Sequence, residues 1–318
     1  MKYINKKIFL IEDRYGNVVE NENYITYEGS TYYLKYLSPN FKSSKGSNSS
    51  VFILYDKTGE WIDRIIKVSN YFRPNRSTPD DIKRRYGRFI REIEVLEKLK
   101  EEDINNIVTI HFNHVIEIDG KEFPYYVMEK GDTDLKEYLI SNPELDNQEK
   151  VRFCLDIFNA IKELHVKNIY HRDIKPDNIF LFREGDEEEM KYVWKIGDLG
   201  LMTERHKDYD DLGEKIGPYG WVSPESMNKF LTEKANLGFD CVIDDKSDIF
   251  QLGKLFWFLF QLNVPIGQIT IEDFICNLEH KDRIFKLIQT MIQYSKRRRI
   301  ELNPLGLQLK EIQNAFYL

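Results

Sequence analysis

The chain has 318 residues, of which 42% are apolar and 14% aromatic, and its formal net charge is −7. This length suits one folded unit of roughly 270 residues with short extensions, and it leaves no room for a second large domain. The apolar content excludes a chain that is disordered throughout. The acidic balance argues against nucleic acid as an obligatory partner.

The cysteine content favours a cytoplasmic location. Cys154, Cys241 and Cys276 are widely separated and match no metal-binding spacing. A reducing compartment is the usual place for such thiols. The apolar run at 8–11 is too short for the core of a signal peptide, and no stretch approaches the length of a membrane span. We therefore expect a cytoplasmic protein without a membrane span.

The first part of the chain alternates strand and turn patterns. Residues 1–30 are predicted to form an extended arm with short strands. Strand candidates follow at 32–37, 51–55, 62–68, 107–118 and 123–128. The serine-rich segment 44–50 has the composition of a surface loop. The loop before the next helix ends in Asp80 and Asp81, and either one is expected to cap that helix.

The helix that follows carries a charge on its apolar side. Phe89, Leu96 and Leu99 lie at i−3, i+4 and i+7 from Glu92, so they place this carboxylate inside an apolar helical stripe. A buried carboxylate requires a partner of opposite charge. The sequence therefore predicts a buried ion pair at Glu92.

The segment His171–Asn178 is the most informative part of the sequence. It spaces a carboxylate, an ammonium group and a carboxamide as phosphoryl transfer to a hydroxyl requires. Asp173 is placed to accept a proton from the attacking hydroxyl, Lys175 to hold charge on the moving phosphoryl group, and Asn178 to present its oxygen to a magnesium ion. Asp198 supplies a second candidate metal carboxylate.

Helical patterns surround this segment. A short helix is predicted at 135–140, with Asp134 as its possible cap. Residues 148–165 have a helical apolar period typical of a core helix. Residues 255–260 are apolar on every side of a helix, which also indicates a core position. The acidic residues at 184–189 are predicted to form the solvated tip of a hairpin.

Taken together, the ordered motifs between about residues 44 and 299 resemble those of the eukaryotic-type serine/threonine protein kinases. The resemblance rests on five segments: Arg64–Lys67, His171–Asn178, Asp198–Gly200, Ser223–Glu225 and Ser247–Gly253. It implies an α+β, bilobal protein-kinase-like fold, with a small antiparallel sheet lobe that has one main helix and a larger, mainly helical lobe. The implied domains are an N-terminal extension (1–30), a kinase N-lobe (31–130) and a kinase C-lobe (131–318).

The resemblance also implies roles for individual residues. Lys67 would pair with Glu92, Asp173 would be the catalytic base beside Lys175, and Asn178 and Asp198 would bind magnesium. The implied ATP site consists of Gly46, Val51, Ile65, Lys67, Met128, Glu129, Lys130, Gly131, Asp134 and Phe180. The implied structural residues are Asp248, which would brace the loop at 171–178, His171 within that loop, and Arg299, which would pair with Glu225.

Two departures from the family pattern bear on activity. In the region of the glycine-rich phosphate cover, the chain keeps only Gly46 and Val51, and serine costs more than glycine wherever φ must be positive. Pro218 stands where the family usually has a threonine whose hydroxyl contacts the catalytic aspartate and lysine. Proline has neither a hydroxyl nor an amide hydrogen. A third change, Leu199 in the metal motif, keeps an apolar side chain and is expected to be benign.

The family resemblance further implies that Arg172 binds a phosphate on the activation segment (198–225). Within this segment the candidate phosphate acceptors are Thr203, Tyr209 and Ser223. The segment also contains the carboxylates Asp208, Asp210, Asp211 and Glu214. We hypothesise that one of these carboxylates is a built-in counterion for Arg172 that permits activity without phosphorylation; the alternative is a solvated acidic loop.

The leading functional interpretation is an ATP- and Mg²⁺-dependent kinase that phosphorylates serine or threonine on protein substrates. Lys175 resembles the serine/threonine branch of the family. The second interpretation is a pseudokinase scaffold that binds partners or nucleotide without turnover, which the reduced phosphate loop and Pro218 would favour. A third is a small-molecule phosphotransferase, against which Lys175 and the segment Ser223–Glu225 argue. The oligomeric state is not predicted.

Overall fold

The computed structural model describes residues 1–38, 48–58, 63–184, 191–207, 209–276 and 278–316. Of the predicted phosphate-cover residues 44–51, residues 44–47, with Gly46, lie outside the described residues. So do Gly59, most of the acidic hairpin tip and Asp208. The chain divides into two compact units, Met1–Lys130 and Gly131–Leu318.

The first unit is built around an antiparallel sheet and one long helix. Its strands are β1 (Lys2–Ile4), β2 (Lys7–Phe9), β3 (Tyr24–Tyr27), β4 (Ser30–Lys35), β5 (Ser49–Tyr55), β6 (Arg64–Ser69), β7 (Ile110–Ile118) and β8 (Lys121–Met128). Its helix is α1 (Asp80–Glu101), and a 3₁₀ turn covers Glu20–Glu22. Six strands form one sheet in the order β3-β4-β5-β6-β8-β7, while β1 and β2 pair separately.

The two faces of this sheet have different partners because side chains alternate along each strand. One face contributes Phe52, Ile66 and Val127 to an apolar core. Ile8 and Ile25 belong to the same core, so residues from the N-terminal 30 pack with the sheet. The other face lies toward α1, as the ring contact between Phe89 and Tyr126 shows.

Two turns in this unit illustrate how local chemistry sets the elements. Asp119 and Gly120 both adopt positive φ between β7 and β8, which is the geometry of a two-residue hairpin turn. The prediction that Asp80 or Asp81 caps α1 is wrong. The N-cap residue is Pro79, and both aspartates lie within the first helical turn. At that position their negative charges interact favourably with the positive end of the helix dipole.

The second unit is mainly helical. Its helices are α2 (Leu135–Ser141), α3 (Asn147–Val166), α4 (Pro224–Thr232), α5 (Asp245–Gln261), α6 (Lys281–Met291) and α7 (Leu302–Ala315). Its strands are β9 (Thr133–Asp134), β10 (Ile169–Tyr170), β11 (Ile179–Glu184), β12 (Lys191–Ile196) and β13 (Thr203–Glu204). Short 3₁₀ turns occur at Pro176–Asn178, Glu233–Ala235, Ile271–Asp273 and Lys296–Arg298. The strands form one sheet of order β12-β11-β9 and one pair, β10-β13.

Helix α5 forms the centre of the second unit. Every residue from Ser247 to Phe260 is buried, which confirms the predicted core helix. The helix begins with a capping box, in which the side chains of Asp244 and Ser247 satisfy each other's backbone amides. Gly253 permits close approach to α6, because a Cβ atom there would lie 2.7 Å from the Cβ of Met291. Among the described residues no helix is both long and apolar enough to cross a bilayer.

Candidate active site

In the first unit, Lys67 and Glu92 form a buried ion pair. The Lys67 Nζ lies 2.8 Å from Glu92 Oε1, and the two side chains are 7% and 1% exposed. The hydroxyl of Tyr126 donates to the same carboxylate oxygen at 3.0 Å. The predicted pairing is thus present, with Tyr126 as a partner that the sequence analysis missed. Strand alternation was the available signal, because Tyr126 pairs directly with Lys67 across the sheet.

Three predicted nucleotide-site residues share the sheet face of Lys67. Val51 is the cross-strand partner of Lys67, and Ile65 is the cross-strand partner of Met128. Since Ile65 and Lys67 are two residues apart on β6, their side chains point to the same side. The register therefore brings Val51, Ile65, Lys67 and Met128 together on one surface.

Glu129 and Lys130 are the last residues of the first unit. The amide of Glu129 donates to the carbonyl of Thr109 at 3.1 Å, and the amide of Thr109 donates to Glu129 Oε1 at 2.7 Å. Lys130 is exposed. A nucleotide that accepted a hydrogen bond from the amide of Glu129 would have to displace its contact with Thr109.

The second unit places Gly131, Asp134 and Phe180 beside one another. A Cβ atom at Gly131 would lie 2.9 Å from the Cβ of Phe180, so a larger residue would force the backbone apart. Asp134 is the β-sheet partner of Phe180. The side chain of Asp134 accepts a hydrogen bond from the amide of Glu137 at 2.9 Å, which confirms its predicted role as the cap of α2.

The loop at 171–178 gathers Asp173, Lys175 and Asn178. The Lys175 Nζ lies 2.8 Å from Asp173 Oδ2. The Asn178 amide nitrogen donates to the same oxygen at 2.9 Å and to the Asp173 carbonyl at 2.8 Å. Because its nitrogen faces Asp173, the carboxamide of Asn178 presents its oxygen on the opposite side.

The second carboxylate oxygen of Asp173 is in a different situation. Within the described part of the chain, Asp173 Oδ1 is buried and has no hydrogen-bond partner. Burial raises the pKa of Asp173; the charge of Lys175 opposes this, and the charge of Asp198 adds to it. An unsatisfied buried carboxylate oxygen is costly unless a ligand completes it. Asp173 therefore has one carboxylate oxygen held by Lys175 and Asn178 and one that no described residue satisfies.

Asp198 lies in a left-handed backbone conformation, with φ of 58°. The following Leu199 is 1% exposed, as expected for a residue that fills an apolar gap. No cluster of three or more histidine, cysteine or acidic residues suited to a metal occurs among the described residues. One carboxylate and one amide oxygen, from Asp198 and Asn178, nevertheless suit magnesium, which usually retains waters and takes its other ligands from substrate phosphates.

The backbone of the loop is fixed by α5. Asp248 accepts hydrogen bonds from the amides of His171 and Arg172, at 2.8 and 2.7 Å. The Nε2 of His165 lies 2.9 Å from the same carboxylate. The ring of His171 donates from Nε2 to the Gly197 carbonyl at 3.1 Å and accepts from the Asp173 amide at 3.2 Å. These contacts agree with the structural roles predicted for Asp248 and His171.

Arg172 forms the predicted ion pair with a carboxylate of the activation segment. Its two terminal nitrogens bind the oxygens of Asp210 at 2.7 and 2.8 Å, and both side chains are almost fully buried. The Nζ of Lys229 on α4 lies 4.0 Å from Asp210 and 3.0 Å from Glu233. The position of Lys229 beside Asp210 was not predicted from the sequence, because a lysine in an amphipathic helix normally faces solvent.

Two of the three candidate phosphate acceptors are buried in structural contacts. Thr203 is 2% exposed, and its hydroxyl donates to the carbonyl of Lys207. Ser223 is 0% exposed and is the N-cap of α4. The hydroxyl of Tyr209 donates to Glu204 at 3.3 Å. Neither Thr203 nor Ser223 exposes its hydroxyl oxygen to solvent in this conformation.

Glu225 and Arg299 form the second predicted ion pair. Two nitrogens of Arg299 contact the two oxygens of Glu225 at 2.6 and 2.8 Å. Ser247 also donates to Glu225 at 2.6 Å. Burial by itself would raise the pKa of Glu225, but the hydrogen bonds and charge of Arg299 outweigh it and hold this pKa below its ordinary value.

Comparison with known proteins agrees with this geometry. The family model described as "Protein kinase domain" matches residues 45–309. The match covers most of the chain and includes both units. The chain therefore belongs to the protein kinase domain family.

Individual relatives are distant and much longer than this chain. It is 27% identical over 185 residues to serine/threonine-protein kinase cds1 of Schizosaccharomyces pombe, which covers 58% of this chain and 36% of that protein. It is 29% identical over 130 residues to the probable serine/threonine-protein kinase SIS8 of Arabidopsis thaliana, covering 40% of this chain and 11% of the relative. Dual specificity protein kinase TTK of Mus musculus is 22% identical over 180 residues, which cover 56% of this chain and 20% of that protein.

Proposed function

We propose that this protein is an ATP-dependent protein kinase that transfers the γ-phosphoryl group to serine or threonine hydroxyls of protein substrates. The observation that carries the proposal is the state of Asp173. One of its oxygens is held by Lys175 and Asn178, and the other is buried without a partner among the described residues. A hydroxyl that donates to this oxygen would be oriented for in-line attack on a phosphoryl group.

The other residues of the loop complete this chemistry. Asp173 orients the acceptor hydroxyl and takes its proton late in the transfer. Lys175 stabilises negative charge on the moving phosphoryl group. Asn178 and Asp198 would hold magnesium, which neutralises the charge of the triphosphate when bound. Most of the acceleration then comes from alignment and charge compensation.

Lys67, fixed by Glu92, is assigned to the ATP phosphates. The proposed adenine and ribose contacts are Gly46, Val51, Ile65, Met128, Glu129, Lys130, Gly131, Asp134 and Phe180. The support for these assignments is the shared sheet face of Val51, Ile65 and Met128 with Lys67. We assign residues 1–30 to an N-terminal extension, 31–130 to a kinase N-lobe and 131–318 to a kinase C-lobe.

We also propose a cytoplasmic location and partners that are protein substrates rather than nucleic acid. The support for the location is that Cys154, Cys241 and Cys276 are all free thiols. The support for protein substrates is Ser223–Glu225, which ends the activation segment. Its Glu225 is fixed by Arg299, which holds the first turn of α4 in place.

Incubation of purified protein with magnesium and ATP, followed by mass spectrometry, tests the proposal. We expect phosphate on serine or threonine of the protein itself or of casein added as a generic acceptor. Asp173→Asn keeps the size of the side chain but removes its charge, so we expect phosphate transfer to fall by at least about a thousandfold while the fold is retained. Phosphate incorporation by this variant at the parental rate would contradict the role of Asp173.

The same samples distinguish the pseudokinase interpretation. Thermal stabilisation by magnesium and ATP, without phosphate on any protein, would favour a scaffold that binds nucleotide without turnover. Phosphate on a small molecule but not on protein would favour a small-molecule phosphotransferase. Either result would overturn the proposed function.

A further inference from the structure

The catalytic loop contains a strained residue next to Asp173. Arg172 has φ of 66°, in the left-handed region that residues other than glycine seldom adopt. Such a conformation is unfavourable for a residue with a Cβ atom and persists only where surrounding contacts hold it. The direction of the Asp173 side chain depends on this backbone, so the contacts that hold it bear on catalysis.

Two side chains of α5, one turn apart, supply these contacts. Asp248 binds the amides of His171 and Arg172. Gln251, three residues later on the same helix face, accepts from the amide of Ile174 at 3.0 Å and donates to the carbonyl of Arg172 at 3.0 Å. Gln251 is 1% exposed, so water does not compete for these hydrogen bonds.

Gln251 and Asp248 hold different peptide groups of the loop. The Arg172 carbonyl belongs to the peptide group before Asp173, and the Ile174 amide belongs to the peptide group after it. One carboxamide therefore holds both peptide groups that flank the Cα of Asp173. Asp248 acts one peptide group earlier in the chain and does not restrict the backbone that follows Asp173.

The activation segment closes over this arrangement. A Cβ atom at Gly217 would lie 3.3 Å from the Arg172 carbonyl and 3.3 Å from the Gln251 amide nitrogen. Gly217 also has φ of +90°. The next residue, Pro218, has neither a hydroxyl nor an amide hydrogen with which to hold the loop. Gln251 thus holds the loop from the side of α5, beneath the glycine.

We propose that Gln251 is a positioning residue for phosphoryl transfer, which sets the direction of the Asp173 carboxylate by fixing the peptide groups on both sides of it. This inference rests on the proposed kinase function. The ordinary alternative is that Gln251 only satisfies two buried backbone groups and contributes to stability. The two roles differ in what they predict for turnover by correctly folded protein.

Gln251→Met is the main test, because methionine has a similar length and provides neither the amide donor nor the carbonyl acceptor. We expect kcat for casein phosphorylation to fall roughly tenfold to a hundredfold, since small displacements of a catalytic group have effects of that size. The KM for ATP should stay within about twofold, because Gln251 does not contact the residues assigned to nucleotide binding. Leu259→Ala is the control: it opens a cavity in the same buried helix but two turns from Gln251, and we expect its kcat per folded molecule to match the parent.

Gln251→Glu separates the two hydrogen bonds. Its ionised carboxylate can still accept from the Ile174 amide, but it has no hydrogen to donate to the Arg172 carbonyl and repels that oxygen, so we expect kcat to fall at least as far as in Gln251→Met. If Gln251→Met is folded and retains the parental kcat, or if Leu259→Ala loses kcat to the same extent, the proposal is overturned.

Hydrogen exchange at the Ile174 amide provides a reading that does not depend on activity. We expect exchange to be roughly tenfold faster in Gln251→Met than in the parent, with no matching change in Leu259→Ala. A parent protein that transfers no phosphate would contradict the proposed function. Unchanged hydrogen exchange at the Ile174 amide in Gln251→Met would contradict the proposal that Gln251 fixes the peptide groups around Asp173. The two failures are therefore distinguishable.

Discussion

At the scale of single residues, the buried pair of Lys67 and Glu92 combines a structural and a functional role. Both groups are removed from water, and Tyr126 provides a further hydrogen bond to the carboxylate. A buried pair of this kind contributes little net stability compared with apolar residues, but removal of one member leaves an uncompensated charge. The structural and functional contributions of Lys67 are therefore separable by mutation.

Lys67→Met should abolish phosphate transfer and also lower the free energy of unfolding by about 3 kcal/mol, because Glu92 would remain buried without its cation. The double variant Lys67→Met/Glu92→Gln should recover much of this stability, since neither position then carries a charge. It should remain inactive, because the amine assigned to the ATP phosphates is absent. Chemical denaturation and radiolabelled phosphate transfer, measured on both variants, check these outcomes. A double variant that regained activity would show that Lys67 has no role in transfer.

At the scale of elements, the activation segment is held by charges that belong to the chain itself. Asp210 lies between Arg172, which precedes Asp173, and Lys229 of α4. The Nε of Arg172 also donates to the Leu201 carbonyl at 2.6 Å, so one arginine contacts the segment at two points. A carboxylate in this position provides the negative charge that a phosphate would otherwise supply.

We accordingly expect phosphatase treatment to leave the activity of the parent protein unchanged. Asp210→Asn should lower activity at least about tenfold and destabilise the protein by about 3 kcal/mol, because Arg172 would lose its charged partner in a buried site. Asp211→Asn is the matched control, since it removes the same charge from the neighbouring residue, whose amide is bound by Glu214. Kinetic assays before and after phosphatase treatment provide the measurement, and loss of parental activity on dephosphorylation would refute the built-in counterion.

At the scale of the whole molecule, the pair of Glu225 and Arg299 joins regions of the second unit that are far apart in sequence. Arg299 also donates to the carbonyls of Gln293, Lys246 and Tyr294. The beginning of α4, the beginning of α5 and the segment before α7 therefore meet at one guanidinium group. Loss of this pair would be felt in the global unfolding transition rather than in one loop.

The pKa of Glu225 sets the pH dependence of this contribution. Its pKa is lower in the folded protein than the ordinary value of 4.5, so the ionised form stabilises the fold. The contribution is fully present above the ordinary pKa and is lost as the pH falls through the lower, folded-state pKa. Glu225→Gln should therefore cost about 3 kcal/mol between about pH 6 and 7.5, and the difference from the parent should shrink below about pH 4.5.

Denaturation curves over this pH range provide the measurement. Glu301→Gln is the control, because Glu301 pairs with Lys246 but is 70% exposed, and an exposed pair contributes about 0.5 kcal/mol or less. A Glu225→Gln variant whose deficit stayed constant down to pH 3 would show that the ionisation of Glu225 does not stabilise the fold.

The sequence by itself determined the family, the order of the elements and the pairs in which both members carry motif positions. The chemistry of the loop at 171–178 was predictable from the spacing of its polar residues, and the need of Glu92 for a buried partner was predictable from its apolar helical stripe. The pairing of Lys67 with Glu92 and of Glu225 with Arg299 was implied by the resemblance to the protein kinases. The sequence offered four candidate carboxylates as the ion-pair partner of Arg172, and the structure shows that the partner is Asp210.

Only the tertiary structure decided which side chains meet across long separations. Tyr126 reaches Glu92 through strand register, and Lys229 reaches Asp210 through the packing of α4. Gln251 lies 77 residues from Ile174 and contacts it because α5 is buried beneath the loop. A hydrogen bond depends on positions within a few tenths of an ångström. Sequence patterns fix which face of an element is buried, but not the register and depth at which two elements pack.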